Sequence, residues 1–221
     1  MNTLIIGASR GIGLELARQY LADGSAVTGT ARDEAGLARL RELGAKAVPL
    51  DVGDPAAAAA LAWPIDGERF DNVFFVAGVI GDRAPVLQTP TRADFDAVMH
   101  TNVLGPMAVL PQLADALAPG ARLGLVSSRM GSMGLRESTS NWLYRASKAA
   151  ANSVLKDLSI VWQSKAICLS LHPGWVRTDM GGSGADIDVA TSAAGLRRVL
   201  ADARPQDNGG FFNYDGTPLA W

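Results

Sequence analysis

A chain of 221 residues with 48% hydrophobic and 19% charged side chains suits a globular protein with a substantial core, and its net charge of −2 favours neither nucleic acid nor an anionic membrane surface. The single cysteine, Cys168, excludes an intrachain disulfide and fits a cytoplasmic setting, and with only two histidines no Cys/His metal site is expected. The opening MNTLIIGASRG lacks the charged and long apolar regions of a secretory signal, and no apolar stretch reaches the ~18 residues of a membrane span.

Short apolar runs then alternate with helical patterns. TLII (Thr3–Ile6) predicts a buried strand, and GLELARQYLADG a helix with Leu16, Tyr20 and Leu21 on one side and Gly24 at its end. Ala26–Ala31 is the next strand, EAGLARLRELG a helix closed by Gly44, and AKAVPLD a strand ending at Asp51. Asp54 offers an N-cap, and Pro55 a first helical residue, for AAAAALAW. DNVFFVAG, RLGLVSS and AICLSLHPG are further strands, the last stopped by Pro173-Gly174. Asp94 to Leu117 predicts a helix interrupted near Gly105-Pro106, and NWLYRASKAAANSVLKDL an Ala-rich helix. Apolar strands alternating with helices imply an α/β fold, a Rossmann-type doubly wound parallel sheet with helices on both faces. No linker or repeat divides residues 1–221, so one domain is expected.

IIGASRGIG places Gly7, Gly11 and Gly13 between the first strand and the first helix, with Ser9, Arg10 and Ile12 among them. Glycines there let the backbone turn tightly and a pyrophosphate approach the helix N-terminus, where free N–H groups and the helix dipole favour an anion. The spacing is G-x-x-x-G-x-G rather than G-x-G-x-x-G. At the end of the second strand, where an acidic residue would hold the ribose hydroxyls, stands Arg32, with Arg10 inside the glycine loop. Two guanidiniums suit a 2′-phosphate, so NADP(H) is the expected cofactor, with NAD(H) an alternative if Asp33 rather than Arg32 faces the ribose.

In an open parallel sheet, ligands bind beyond the carboxyl ends of the strands. RLGLVSS ends there with Ser127 and Ser128, and Tyr144 and Lys148 follow, four residues apart and so on one helix face.

Together these residues resemble the short-chain dehydrogenase/reductase family over nearly the whole chain. The resemblance rests on GASRGIG (7–13), DV (51–52), AG (77–78), NVLG (102–105), SSRMG (127–131), YRASK (144–148) and HPGWVRTDM (172–180), in that order. Length and the ending GGFFNYDGTPLAW are most similar to the C-factor and sniffer-like carbonyl-reductase subgroup. The resemblance implies Tyr144 as general acid/base, Lys148 on the nicotinamide ribose, Ser128 on the substrate oxygen, and Asn102 breaking its helix to hold a water in a proton relay. Ser127 is a second candidate, but Ser128 better matches S-S-x-x-G. The resemblance further implies cofactor contacts from Asp51, Val52, Ala77, Gly78, Pro173, Gly174, Val176 and Thr178. The chemistry is coherent: a free phenol has a pKa near ~10, too high for an efficient base, and a nearby ammonium stabilises the phenolate.

Two departures stand out. The family usually carries two Asn before the Ala-Gly of the fourth strand, where this chain has Phe75 and Val76, so apolar contacts are expected in place of hydrogen bonds. Ser128 and Tyr144 lie sixteen residues apart, more than usual, so the intervening GSMGLRESTSNW is expected to bulge.

Met130, Met133, Leu135, Trp142, Trp175 and Met180 follow the serine and the Pro-Gly, predicting a pocket for an apolar, even aromatic, carbonyl compound. MGGSGAD (180–186) is a candidate lid. His172, His100 and Cys168 read as structural. The function expected is an NADP(H)-dependent carbonyl reductase or alcohol dehydrogenase on a small-molecule substrate, without nucleic-acid or membrane partners. The alternative is a nucleotide-binding signalling or regulatory protein of the same fold. A homodimer or homotetramer is expected, paired through the helices that start near Asp94 and Asn141.

Overall fold

A computed structural model of the chain describes residues 1–83 and 86–221. In chain order the elements are β1 (Asn2–Ile6), α1 (Gly11–Ala22), β2 (Ala26–Ala31), α2 (Glu34–Glu42), β3 (Lys46–Pro49), α3 (Pro55–Ala59), β4 (Phe70–Phe75), α4 (Arg92–Met99), α5 (Gly105–Val109), β5 (Leu117–Val126), α6 (Trp142–Val161), β6 (Ala166–His172), α7 (Val189–Asp202) and β7 (Phe211–Asn213). All seven strands pair in parallel in the order β3-β2-β1-β4-β5-β6-β7. The chain therefore reverses its direction of travel across the sheet between β1 and β4. That leaves a crevice beyond their carboxyl ends, where open α/β sheets bind ligands.

Strand alternation divides the core. Leu4, Ile6, Val73, Phe75, Leu123 and Leu125 pack on one face with Leu110, Leu113 and Leu155. Ile5, Phe74, Leu169 and Leu171 point to the other face, against Leu16, Leu40 and Leu196. Successive residues of a strand face opposite ways, so both helical layers require apolar side chains at nearly every strand position. Phe75 is buried in the first cluster and Val76 packs against the second, the apolar contacts expected there.

Some expectations are corrected. The strand read through Gly78 ends at Phe75, and Val76 to Gly78 leave the sheet towards the crevice. The stretch Asp94–Leu117 is not one interrupted helix: α4 passes into a π-helical turn (His100–Leu104), then α5, a 3-10 turn (Leu110–Leu113) and the start of β5. The break thus precedes Gly105-Pro106. Pro106 explains its place, because it has no N–H to return to the carbonyl four residues back, that of Asn102. The helix read over Ala56–Trp63 is short, Pro55–Ala59, with Asp54 accepting from Ala56 N at 2.9 Å. Helix α7 and strand β7 were not anticipated. Among the described residues, no helix is long and apolar enough to cross a membrane.

Candidate active site

The site begins at the β1–α1 turn. Gly7 has φ 87°, and a side chain there would put Cβ 2.6 Å from Ala77 N. At Gly13 an added Cβ would stand 2.2 Å from the Gly7 carbonyl oxygen, so only glycine lets α1 start this close to the end of β1. Arg10 is the N-cap of α1 and makes no side-chain cap hydrogen bond, which leaves N–H groups of the first turn open to the crevice. These features fit a pyrophosphate at the helix N-terminus.

Around this turn lies a cleft of about 380 Å³. Of the expected cofactor residues, Gly7, Ser9, Arg10, Gly11, Ile12, Arg32, Asp51, Val52, Ala77, Gly78, Tyr144, Lys148, Pro173 and Thr178 line it. Gly13 is buried behind the loop. Gly174 and Val176 line the neighbouring pocket instead. At the second strand end Asp33 Oδ1 accepts from Gly36 N at 2.7 Å, starting α2, and of the two charged residues Arg32, not Asp33, lines the cleft. Arg39, which sequence reasoning passed over, donates its Nε to the Ser9 carbonyl at 2.9 Å and adds a cation to this end. Arg10 pairs with Asp179 at 2.8 Å across the cleft mouth.

Lys148 is 5% exposed, and its ammonium donates to the Val126 carbonyl at 3.0 Å. It lies 5.7 Å from the centroid of the Tyr144 ring. Gly78 makes room for it, since a Cβ there would lie 3.2 Å from Lys148 Nζ and 3.3 Å from Asn102 Oδ1. Gly131 does the same from the other side, where a Cβ would sit 2.8 Å from the Lys148 carbonyl carbon. Burial pushes the lysine down to about 8. Tyr144 is 7% exposed, and burial pushes its phenol up to about 12, with the Ser128 hydroxyl pulling the other way.

Asn102 lies in the π-helical turn, 2% exposed, and lines neither cavity. Its Oδ1 accepts from Val79 N at 2.8 Å, and its Nδ2 donates to the Val79 carbonyl at 2.7 Å and to Ser147 Oγ at 2.9 Å. Ser147 in turn donates to the Tyr144 carbonyl at 2.8 Å. Asn102 thus ties the segment after β4 to the first turns of α6, the helix that carries Tyr144 and Lys148. No motif in the sequence points to Ser147.

Beyond Tyr144 opens a second pocket, of about 560 Å³. Ser128, which caps the 3-10 turn Arg129–Gly131 by accepting from Met130 N at 3.1 Å, lines it. Ser127 borders both cavities and donates to the Lys148 carbonyl at 3.5 Å. Met130, Leu135, Trp175 and Met180 line the pocket as expected, but Met133 and Trp142 do not. Met133 is 71% exposed, and Trp142 donates its indole N–H to the Gln88 carbonyl at 3.1 Å. The long Ser128–Tyr144 spacing does bulge: residues 132–141 form no helix or strand, and the segment enters α6 through Asn141 at φ 53°. His172 lines the pocket but is pushed down to about 4 by burial and by Arg129, so it stays neutral. The stretch 180–186 folds back on its own base, with Trp175 donating to the Gly181 carbonyl at 2.9 Å.

A family model described as enoyl-(acyl carrier protein) reductase matches residues 7–209. Over its full length the chain is 34% identical to 1-hydroxy-2-glutathionyl-2-methyl-3-butene dehydrogenase of Rhodococcus sp. (strain AD45), covering 99% of that protein. Across 58% of its length it is 37% identical to C-signal of Myxococcus xanthus, covering 80% of that protein. Among solved structures it is similar to a short-chain dehydrogenase/reductase from Burkholderia multivorans with bound NADP, with TM-score 0.90, 31% identity, and coverage of 100% of this chain and 99% of that one. It is likewise similar to the carbonyl reductase Sniffer of D. melanogaster, with TM-score 0.87, 31% identity and the same coverage.

Proposed function

The chain belongs to the short-chain dehydrogenase/reductase family, and within it we propose that it works as an NADP(H)-dependent carbonyl reductase or alcohol dehydrogenase on a small ketone, aldehyde or the matching alcohol. One observation carries this reading. Tyr144 forms a wall common to both cavities, with Lys148 on the cleft side and Ser128 on the pocket side. A reacting carbon in the pocket and a dinucleotide in the cleft would meet at that phenol.

The cleft fits the cofactor. The glycine turn and the open N-terminus of α1 suit its pyrophosphate, and Arg10, Arg32 and Arg39 suit a 2′-phosphate now that Asp33 is engaged in a cap. The similar structure that holds NADP supports the same choice. When bound, the nicotinamide supplies a hydride in reduction and accepts one in oxidation.

The residues of this chain handle the proton. In reduction the Tyr144 hydroxyl donates to the carbonyl oxygen of the substrate, and Ser128 Oγ hydrogen-bonds the same oxygen as negative charge builds there. The Lys148 ammonium then stabilises the phenolate left behind. One of its three N–H groups is held by Val126, so two remain for a ribose hydroxyl or a water. Asn102 holds its turn open for a water that returns the proton through Lys148 to Tyr144. We also propose a cytoplasmic homodimer or homotetramer, for which the exposed Phe95 and Met107 near α4 and α5, and Ile160 and Val161 on α6, supply apolar surface.

A signalling role draws support from the similarity to C-signal. The test for both readings is a panel of aromatic ketones, diketones and aldehydes with NADPH. Turnover is expected, and Tyr144→Phe should lower kcat by roughly 100- to 10,000-fold, the usual share of a general acid. Activity that survives the substitution removes this mechanism. Tight NADPH binding with no turnover across the panel favours the signalling role.

A further inference from the structure

The pocket beyond Tyr144 is not uniformly apolar. Ile80, Met130, Trp175 and Met180 line it together with Arg83, Arg129 and Arg145, with Glu137 as the single carboxylate among the described lining residues, and Arg83 donates to the Met180 carbonyl at 2.7 Å. Glu137 does little to offset them, since it is well exposed and reaches Arg129 only at 4.0 Å.

Arg145 is the unusual member. It follows Tyr144 directly on α6 and is 7% exposed, a depth arginine rarely reaches without an anion. Its Nε donates to the Ser140 carbonyl at 2.8 Å and its Nη2 to Ser138 Oγ at 2.5 Å. Both partners are neutral, and three of the five guanidinium N–H groups are left over. It takes part in no ion pair among the described residues. Burial and the charge of nearby Arg136 hold its pKa below the usual arginine value, so its neighbourhood adds positive charge where an anion would be expected. A buried cation in this state is costly, and a planar two-oxygen anion matches both its charge and its fork of donors.

We propose that the substrate of this pocket is a carbonyl compound bearing a carboxylate, with its apolar body against Met130, Trp175 and Met180 and its carboxylate held by Arg145, with Arg129 alongside. The proposal rests on the carbonyl-reductase reading and narrows the substrate class within it.

The test uses phenyl ketones with a terminal carboxylate on alkyl chains of increasing length, each paired with its methyl ester. With NADPH, the best acid should exceed its ester in kcat/KM by roughly 10- to 100-fold, as one charge-assisted pair would give. Arg145→Met should lower the rate on the acid far more than on the ester. Because that variant could unsettle residues 138–140, Arg129→Gln serves as a second: the acid-to-ester ratio should fall several-fold and wild-type preference should weaken with added salt. Dissociation constants of the same pairs for Tyr144→Phe with NADPH bound give a readout free of turnover. Acids bound more tightly than esters, with no turnover in the wild type, would sustain the carboxylate site and sink the reductase reading. Esters handled as well as acids in turnover and binding would overturn the carboxylate site and leave that reading standing. No binding of any pair would overturn the site whatever the turnover.

Discussion

The cleft around the β1–α1 turn and the pocket beyond Tyr144 share one wall, yet they are built from different materials. The cleft is shaped by backbone. Gly7 and Gly13 sit where a single added carbon would stand 2.6 Å and 2.2 Å from main-chain atoms, and the helix start supplies donors that no side chain contributes. The pocket is lined mostly by side chains on the irregular stretches 128–141 and 172–181; its own Gly181 is held as closely as Gly13, with an added Cβ 2.0 Å from the Val176 carbonyl oxygen, but just outside it Gly182 and Gly184 have nothing within 4 Å of an added Cβ. A backbone-walled site can accept one kind of ligand and little variation. A side-chain-walled site can be refitted one residue at a time without moving the sheet.

The widest gap between the two should appear in tolerance. Gly13→Ala forces a carbon against the Gly7 carbonyl oxygen. Overpacking of this kind costs about 1–3 kcal/mol, and the loop it distorts is the one that would hold a pyrophosphate. A lower melting temperature together with loss of NADPH binding is expected. Gly184→Ala should stay within about 0.5 kcal/mol of wild type in stability and keep its cofactor. Thermal melts and fluorescence titration with NADPH measure both, and equal tolerance at the two positions would break the contrast.

A finer test asks whether the two sites sort their anions separately. Arg32 lines the cleft and not the pocket, so Arg32→Ala should weaken NADP(H) by roughly 10- to 100-fold while leaving NAD(H) nearly as it was. The acid-over-ester preference of the pocket should not move with it. An unchanged NADP-to-NAD ratio would mean that Arg10 and Arg39 hold the 2′-phosphate without Arg32.

The same difference of materials decides what could be read from the sequence. Glycine positions, strand ends and the Tyr144/Lys148 spacing follow from backbone periodicity, and the sheet order places them at one crevice. Asp33 could not be assigned from sequence, because an aspartate before a helix can cap it or face a ribose; in the structure it caps α2 through Gly36 N. Nothing in the sequence singled out Arg145, since its burial depends on where residues 138–140 fold, and no periodicity governs that stretch. Met133 and Trp142 were misplaced for the same reason: position after the serine says little once the segment leaves regular structure. Strand β7 is three residues long and offered little signal, whereas α7 was legible and passed over: it runs fourteen residues behind an Asp188 N-cap, with Ala193, Leu196, Val199 and Leu200 buried at helical spacing.

The smallest expected effect concerns the shared wall itself, and pH resolves it. Burial holds the Lys148 ammonium at about 8, well under the ~10.4 of a free lysine, and holds the Tyr144 phenol at about 12. Reduction needs the ammonium, because only the charged form stabilises the phenolate that remains after proton transfer. kcat/KM for reduction should therefore fall as pH rises through about 8, by up to about tenfold for each further unit. Stability should move the other way. Between about 8 and ~10.4 the unfolded chain binds a proton at this lysine that the folded chain has released, so stability from this group rises with pH across that window and is lost as pH falls back through 8. Tyr144 turns the trend only above its free value of ~10, where the unfolded phenol ionises and the folded one does not. Activity falling while the melting temperature holds or rises would locate the loss in the Lys148 proton. A melting temperature that falls in step with activity would assign it to unfolding, and a Lys148→Met variant that kept the same inflection near 8 would assign it to some other group.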